Sequence, residues 1–341
     1  MSESHEPLPS PYIRDTILEL KVRGLNSKIV IPHLSGHETE LRVRIIDVIE
    51  PSTMSVVLHV KLELEDHTTP VPTMVLKVFD RHFSAQLREF LDSGPATKSS
   101  ELQFINFVRE GYLPLFMAAW EQEGPCAYDE WNVSRREACF QYRSVLSHEI
   151  ELEIYDRLVA MQGVHVPNFF ADVRLRPQHE ELQVEESLIE DIAMRAILME
   201  YIDEFPLDEI VNRTPELDWA PICDQAIEVI RSISDSDFIN FDIKPRNILV
   251  RRQEEKAYEV FYLDFGECRF RDPSDSSDEV WRERKRQRCE EGAVGYIMMN
   301  HISRAKGKKG KKYKGSLPLP WEYSPSNRFE GDYIELYGNA G

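Results

Sequence analysis

Runs of Val, Ile and Leu predict strands over Leu41–Ile49 and Ser55–Leu64, joined by Glu50-Pro51-Ser52-Thr53-Met54. A third strand, Thr73–Asp80, is apolar on both faces except for Lys77. The period then changes. Phe83–Leu91 and Glu101–Trp120 carry apolar residues at helical spacing, with Phe104, Phe107, Val108, Tyr112, Leu115 and Phe116 on one stripe. A long helix follows over Ser134–Met161 and stops at Gly163. Strands return at Val166–Val173 and Ile192–Ile202, separated by the acidic stretch His179–Glu186. Leu207–Val211, Leu217–Ser232 and Glu279–Ile302 read as helices. Between the last two, Ile248–Val250 and Val260–Leu263 form an antiparallel pair around the polar loop Arg251–Tyr258. Residues 1–40, interrupted by Pro7, Pro9, Pro11 and Pro32, read as an arm.

Polar residues that break this pattern carry the chemistry. Lys77 sits in a strand whose neighbours are apolar on both sides, so its ammonium needs an anionic partner. The long helix offers Glu149, Glu151 and Glu153. Glu151 shares a face with Ile154, Tyr155 and Leu158, whereas Glu149 and Glu153 lie with Asp156 on the opposite side. Glu151 is therefore the expected counter-ion.

A second group flanks the antiparallel pair, with Phe241-Asp242-Ile243-Lys244-Pro245-Arg246-Asn247 before one strand and Leu263-Asp264-Phe265-Gly266 after the other. Phosphoryl transfer needs oxygen ligands on Mg²⁺ and a carboxylate facing the attacking hydroxyl. Asn247 and Asp264 suit the metal, Asp242 the proton, and Lys244 the charge of the transferred group.

The segments D-I-K-P-R-N and L-D-F-G resemble the catalytic and metal loops of the protein kinase superfamily. Together with V-L-K-V-F-D, H-E-I-E-L-E-I-Y-D-R-L and M-E-Y-I, they bring residues 41–302 nearest the divergent kinase-like proteins common in fungi, with features shared with aminoglycoside-type phosphotransferases. The resemblance implies an α+β, bilobal fold with ATP and Mg²⁺. A small antiparallel N-lobe (41–202) would hold helix C and a helical insertion (83–131), and a larger, mainly helical C-lobe would span 203–303. Lys77 would then contact nucleotide phosphates, Met199 would be the gatekeeper, and the backbone at Glu200 and Ile202 would meet the adenine edge. The glycines of the family's phosphate loop would fall on Glu50, Ser52 and Ser55, where serine still offers donors and Glu50 repels phosphate.

Function divides three ways. Lys244 matches kinases acting on protein Ser/Thr hydroxyls. The absence of an A-P-E element and the helical insertion fit small-molecule kinases of the aminoglycoside or choline type. The glycine-free hairpin, and Asn240 in place of the family's propping histidine, fit a binding module that has lost catalysis.

Composition trims the alternatives. With 341 residues, 42% hydrophobic and 30% charged, the chain can fill a large core. A net charge of −19 opposes general nucleic-acid binding. Five scattered cysteines without C-x-x-C indicate reduced thiols. Neither a signal peptide nor a membrane-length apolar run is evident. The expectation is a soluble cytoplasmic protein or, through the basic run 304–314, a nuclear one, with ATP and an unidentified hydroxyl acceptor as partners. Ser274, Ser276 and Ser277 lie in acidic context as modification candidates, and the aromatic tail from residue 317 should pack back on the body.

Overall fold

The computed structural model describes residues 6–26, 39–51, 53–64, 72–123, 131–176, 184–253, 257–272, 277–307 and 319–329. The chain divides into two compact units, Met1–Leu152 with Asn168–Tyr201, and Glu153–Pro167 with Ile202–Gly341. Ser52, Ser274, Ser276, the basic run beyond Gly307 and the tail beyond Phe329 lie outside the described residues.

Unit 1 is built on β1 (Ile17–Leu25), β2 (Glu40–Ile49), β3 (Val56–Leu62), β4 (Thr73–Phe79), β5 (Phe169–Leu175) and β6 (Met194–Glu200). These pair antiparallel in the order β1-β2-β3-β4-β6-β5 and close into a barrel. Alternation explains its filling. Leu18, Leu20, Val43, Ile45, Leu58, Val60, Leu76, Val78, Val173, Ala196 and Leu198 point inward and are buried.

The expected kinase-like architecture is therefore corrected. Closure replaces the open N-lobe sheet, and its cause is β1, which lies inside the stretch read as an arm. The prolines at 7, 9 and 11 all precede it. From Ile17 onward, Leu18 and Leu20 alternate inward, and the strand joins β2 on one side and β5 on the other. Its ladder with β5 shifts register between Val22 and Gly24, a local irregularity in the closing seam.

The rest of unit 1 is helical, with α1 (Ala85–Phe90), α2 (Lys98–Arg109), α3 (Tyr112–Glu123), α4 (Val133–Arg157) and the short α5 (Ile189–Ile192). The last turn of α4 belongs to unit 2. A reciprocal Thr97–Ser100 capping box starts α2. Gly111, at φ +76°, separates α2 from α3. That break resets the helical phase. Phe104 and Val108 stay in the core, but Tyr112 and Leu115 of the expected stripe are exposed and Leu113 is buried in their place.

Unit 2 sets short strands among its helices, a mixed unit where a helical lobe was expected. Its described elements are β7 (Phe205–Pro206), α6 (Ile210–Arg213), α7 (Trp219–Ser234), β8 (Phe238–Asn240), β9 (Ile248–Arg252), β10 (Tyr258–Tyr262), β11 (Cys268–Phe270), α8 (Asp278–Arg288) and α9 (Glu290–Gly307). Buried Ile222, Ala226, Val229, Ile230 and Ile233 give α7 one apolar face. The single helix expected over 279–302 is split by Cys289, which takes a left-handed conformation at φ +47°. Trp321 and Tyr323 of the tail are buried, and the Trp321 indole donates to Asp224. Among the described residues, no helix is long and apolar enough to cross a membrane.

Candidate functional site

In unit 1, Lys77 occupies a β4 position opposite Val57 of β3 and Ile197 of β6. Its side chain is buried. Its Nζ donates to Glu151 Oε2 at 2.6 Å, and Glu151 is buried on α4. The alternatives on that helix are occupied at the surface, Glu149 by Arg195 and Glu153 by Arg157. Ser55 is buried just before β3, and Glu50 is exposed. Met199 is buried in β6, where Glu200 holds Asn168 through its carboxylate at 2.7 Å. The Glu200 N–H donates to the Asn168 carbonyl at 2.8 Å and is not available to a nucleotide edge. Ile202 is buried in unit 2.

In unit 2 the strand pairing brings the two polar segments together. β8 pairs with β11 through Asn240↔Cys268, and β9 pairs with β10 through Ile248↔Tyr262. The connections 241–247 and 263–267 lie between these two ladders, side by side. The Leu263 N–H donates to the Asn247 carbonyl at 2.8 Å, and the Phe241 N–H to the Glu267 carbonyl at 3.1 Å. Asn247 Nδ2 donates to the Asp242 carbonyl at 3.1 Å. Lys244 Nζ forms an ion pair with Asp242 Oδ1.

Asn240 is the centre of this arrangement and is fully buried. Its Oδ1 accepts from the Asp242 N–H at 2.8 Å, while its Nδ2 donates to the Tyr262 hydroxyl at 2.8 Å and the Asp264 carbonyl at 3.1 Å. One amide thus ties the residue that would take the proton to the residue that would hold metal. Asp264 sits at φ +71°, uncommon for a residue with a Cβ, so its tether matters. Next to it, Phe265 is locked by edge-on contacts with Tyr155, Phe238 and Tyr262.

Behind Asn240 lies a buried ion pair. Glu290 accepts from the Asn240 N–H and the Ser234 hydroxyl, each at 2.7 Å. Lys285 Nζ is 3.5 Å from Glu290, 2.9 Å from the Ser234 carbonyl and bonded to the Phe238 carbonyl. Burial lowers the Lys285 pKa, with Glu290 opposing that shift. Arg288 adds bonds to the Asn240 and Phe241 carbonyls. Neither Lys285 nor Glu290 stands out in the sequence. Lys285 is one base within W-R-E-R-K-R-Q-R, and the helix break that buries Glu290 falls at an ordinary cysteine.

Asn247 and Asp264 offer a carbonyl oxygen and a carboxylate, the hard donors Mg²⁺ takes, with water and phosphate completing its shell. The bond from Asn247 Nδ2 to the Asp242 carbonyl leaves its Oδ1 as the ligating atom. The donors therefore fit that ion, although among the described residues no group of three or more His, Cys, Asp or Glu side chains is positioned to hold a metal by itself. No protein-family model and no curated protein matches the chain.

Proposed function

We propose that the protein is a Mg²⁺- and ATP-dependent phosphotransferase acting on a Ser or Thr hydroxyl of a protein. The observation that carries this reading is the Asn240 amide, which binds the Asp242 N–H and the Asp264 carbonyl at once. Asp242 would accept the proton of the attacking hydroxyl, and Lys244, ion-paired to it, would sit beside the transferred group. A Mg²⁺ ion on Asn247 and Asp264 would supply neutralising charge to the phosphates. The buried Lys77–Glu151 pair in unit 1 gives a held ammonium of the kind used for phosphate contact. The reading rests on these residues and not on the architecture, because one chemistry recurs on unrelated folds.

A binding module without transfer is the second reading, and the Lys244–Asp242 contact favours it, since a cation already occupies an oxygen of the base. Thermal denaturation with Mg²⁺-ATP, combined with a phosphotransfer assay, separates the two. Binding raises the midpoint by mass action, and Asp264→Asn should abolish the metal-dependent part. Asp242→Ala should keep the rise and lose transfer. A wild-type protein with no rise at millimolar nucleotide would defeat both readings as nucleotide proteins. A rise without transfer to any hydroxyl acceptor leaves the binding module.

A further inference from the structure

A cleft of about 440 Å³ opens beside the 241–247 segment within unit 2. Lys244 and Arg246 line one side, Asp208 a second, and Asn300, His301 and Arg304 of α9 a third. On α9, His301 and Arg304 follow Ile297 at four and seven residues, so they project from one face.

Two features of this cleft point to a ligand. First, it is cationic in a chain of net charge −19. Lys244 is matched by Asp242, but Arg246 and Arg304 are exposed and, among the described residues, have no ion-pair partner. Guanidinium groups in a recess raise the local concentration of anions and bind carboxylate or phosphate through two parallel N–H bonds. Second, Lys244, Pro245 and Arg246 of the segment that carries Asp242 line the cleft, so whatever binds there lies beside the proposed base. A small inorganic anion satisfies the arginines and brings no hydroxyl to Asp242. A peptide with acidic side chains beside Ser or Thr brings both carboxylates and a hydroxyl.

We infer that this cleft is the acceptor site and that the acceptor is a peptide segment carrying Ser or Thr next to acidic residues. The inference rests on the phosphotransferase reading, because it takes Lys244 as the point where the cleft meets Asp242. Arg246 and Arg304 would hold the flanking carboxylates and set the acceptor's register.

The test is fluorescence anisotropy of a labelled serine peptide flanked by Asp and Glu, against the same peptide with Lys at those positions. The full-length protein should bind the acidic peptide at least tenfold more tightly, and the preference should shrink as salt rises. Arg246→Glu with Arg304→Glu should weaken acidic-peptide binding at least tenfold. Both side chains are exposed, so the thermal midpoint reports whether that variant folds, and the salt and peptide comparisons on wild-type protein stand if it does not. Equal binding of the two peptides, a preference for the basic one, or displacement by inorganic phosphate at peptide-like concentrations overturns the inference. The Mg²⁺-ATP midpoint rise is read on the same preparation. A rise without acidic preference sinks the acceptor assignment alone. Acidic-peptide binding without a rise sinks the phosphotransferase reading and leaves the cleft as a docking site.

Discussion

The two units bury charge in opposite ways. In unit 1, charged side chains mostly meet one another. Lys77 faces Glu151, and a larger network joins Arg81 and Arg88 to Glu137, Arg81 and His82 to Glu101, and His82 and Tyr12 to Asp80. The cations of that network lie on aromatic faces, Arg81 over Phe104 at 4.1 Å and Arg88 over Phe140 at 4.6 Å. In unit 2, the buried pair Lys285–Glu290 is turned toward the main chain. It holds the carbonyls of Ser234 and Phe238 and the N–H of Asn240. Charge meeting charge can be removed in matched pairs with modest loss. Charge that organises backbone cannot, because its removal strands carbonyls and N–H groups too. Unit 1 thus uses buried ions to fix helices against a barrel, while unit 2 uses them to fix a loop.

The sharpest break is Lys285→Met. It leaves the Glu290 carboxylate without its cation and two buried carbonyls without a donor. Losing one partner of a buried pair costs roughly 3–5 kcal/mol, and each stranded polar group about 1–3 more. We expect urea denaturation to report a loss of roughly 5 kcal/mol, which adding Glu290→Gln does not recover. Recovery in the double variant would place Lys285 in the same class as the unit 1 ions.

Lys77→Met is the contrasting case. It should cost roughly 3 kcal/mol by taking the facing cation from buried Glu151, and Lys77→Met with Glu151→Gln should regain most of that stability. The Mg²⁺-ATP midpoint rise should stay lost in both variants, since the double restores packing and not the ammonium. Should the double variant regain the nucleotide effect as well, Lys77 serves the fold and has no part in phosphate contact.

This contrast also marks how far the sequence can be read. Lys77 and Glu151 are legible because each is a lone charge on an apolar face, and such a charge implies a partner. The two polar segments around Asp242 and Asp264 are legible because both abut apolar strands that pair. The barrel is not. Closure needs β1, and a strand of alternating Leu18 and Leu20 among charged residues is hidden behind three prolines and reads as part of their arm. Asn240 misleads for another reason. As a replacement for histidine it counts as a lost prop, yet an amide both donates and accepts, and here it makes three bonds. The network around Arg81 escapes because Glu101 and Glu137 lie far from it in sequence, and only packing brings them together.

The smallest effect sought is in pH, and it tests whether ions in unit 1 act as titratable pairs. His82 Nδ1 lies 2.6 Å from Asp80 Oδ1, and its Nε2 lies 2.9 Å from Glu101 Oε2. Both nitrogens face carboxylates, which fits a ring carrying two protons. Burial and Arg81 pull its pKa down, but Asp80 and Glu101 outweigh them and the net shift is upward. His148 is the opposite case. Burial lowers its pKa, against the Asp172 carboxylate at 2.9 Å, and Arg174 and Arg195 add to the lowering. A raised histidine contributes stability that is full below its unfolded value of about 6.5 and is lost as pH rises through the folded value. A lowered one contributes above about 6.5 and loses that contribution as pH falls through the folded value. Thermal midpoints of the wild type should therefore decline on both sides of a maximum near neutrality. Each limb amounts to about 1.4 kcal/mol for every tenfold difference in proton affinity between the folded and unfolded chain. His82→Gln should flatten the alkaline limb and leave the acid limb in place. An unchanged alkaline limb in that variant would mean that His82 is neutral when folded, with Arg81 and Arg88 alone balancing the carboxylates of the network.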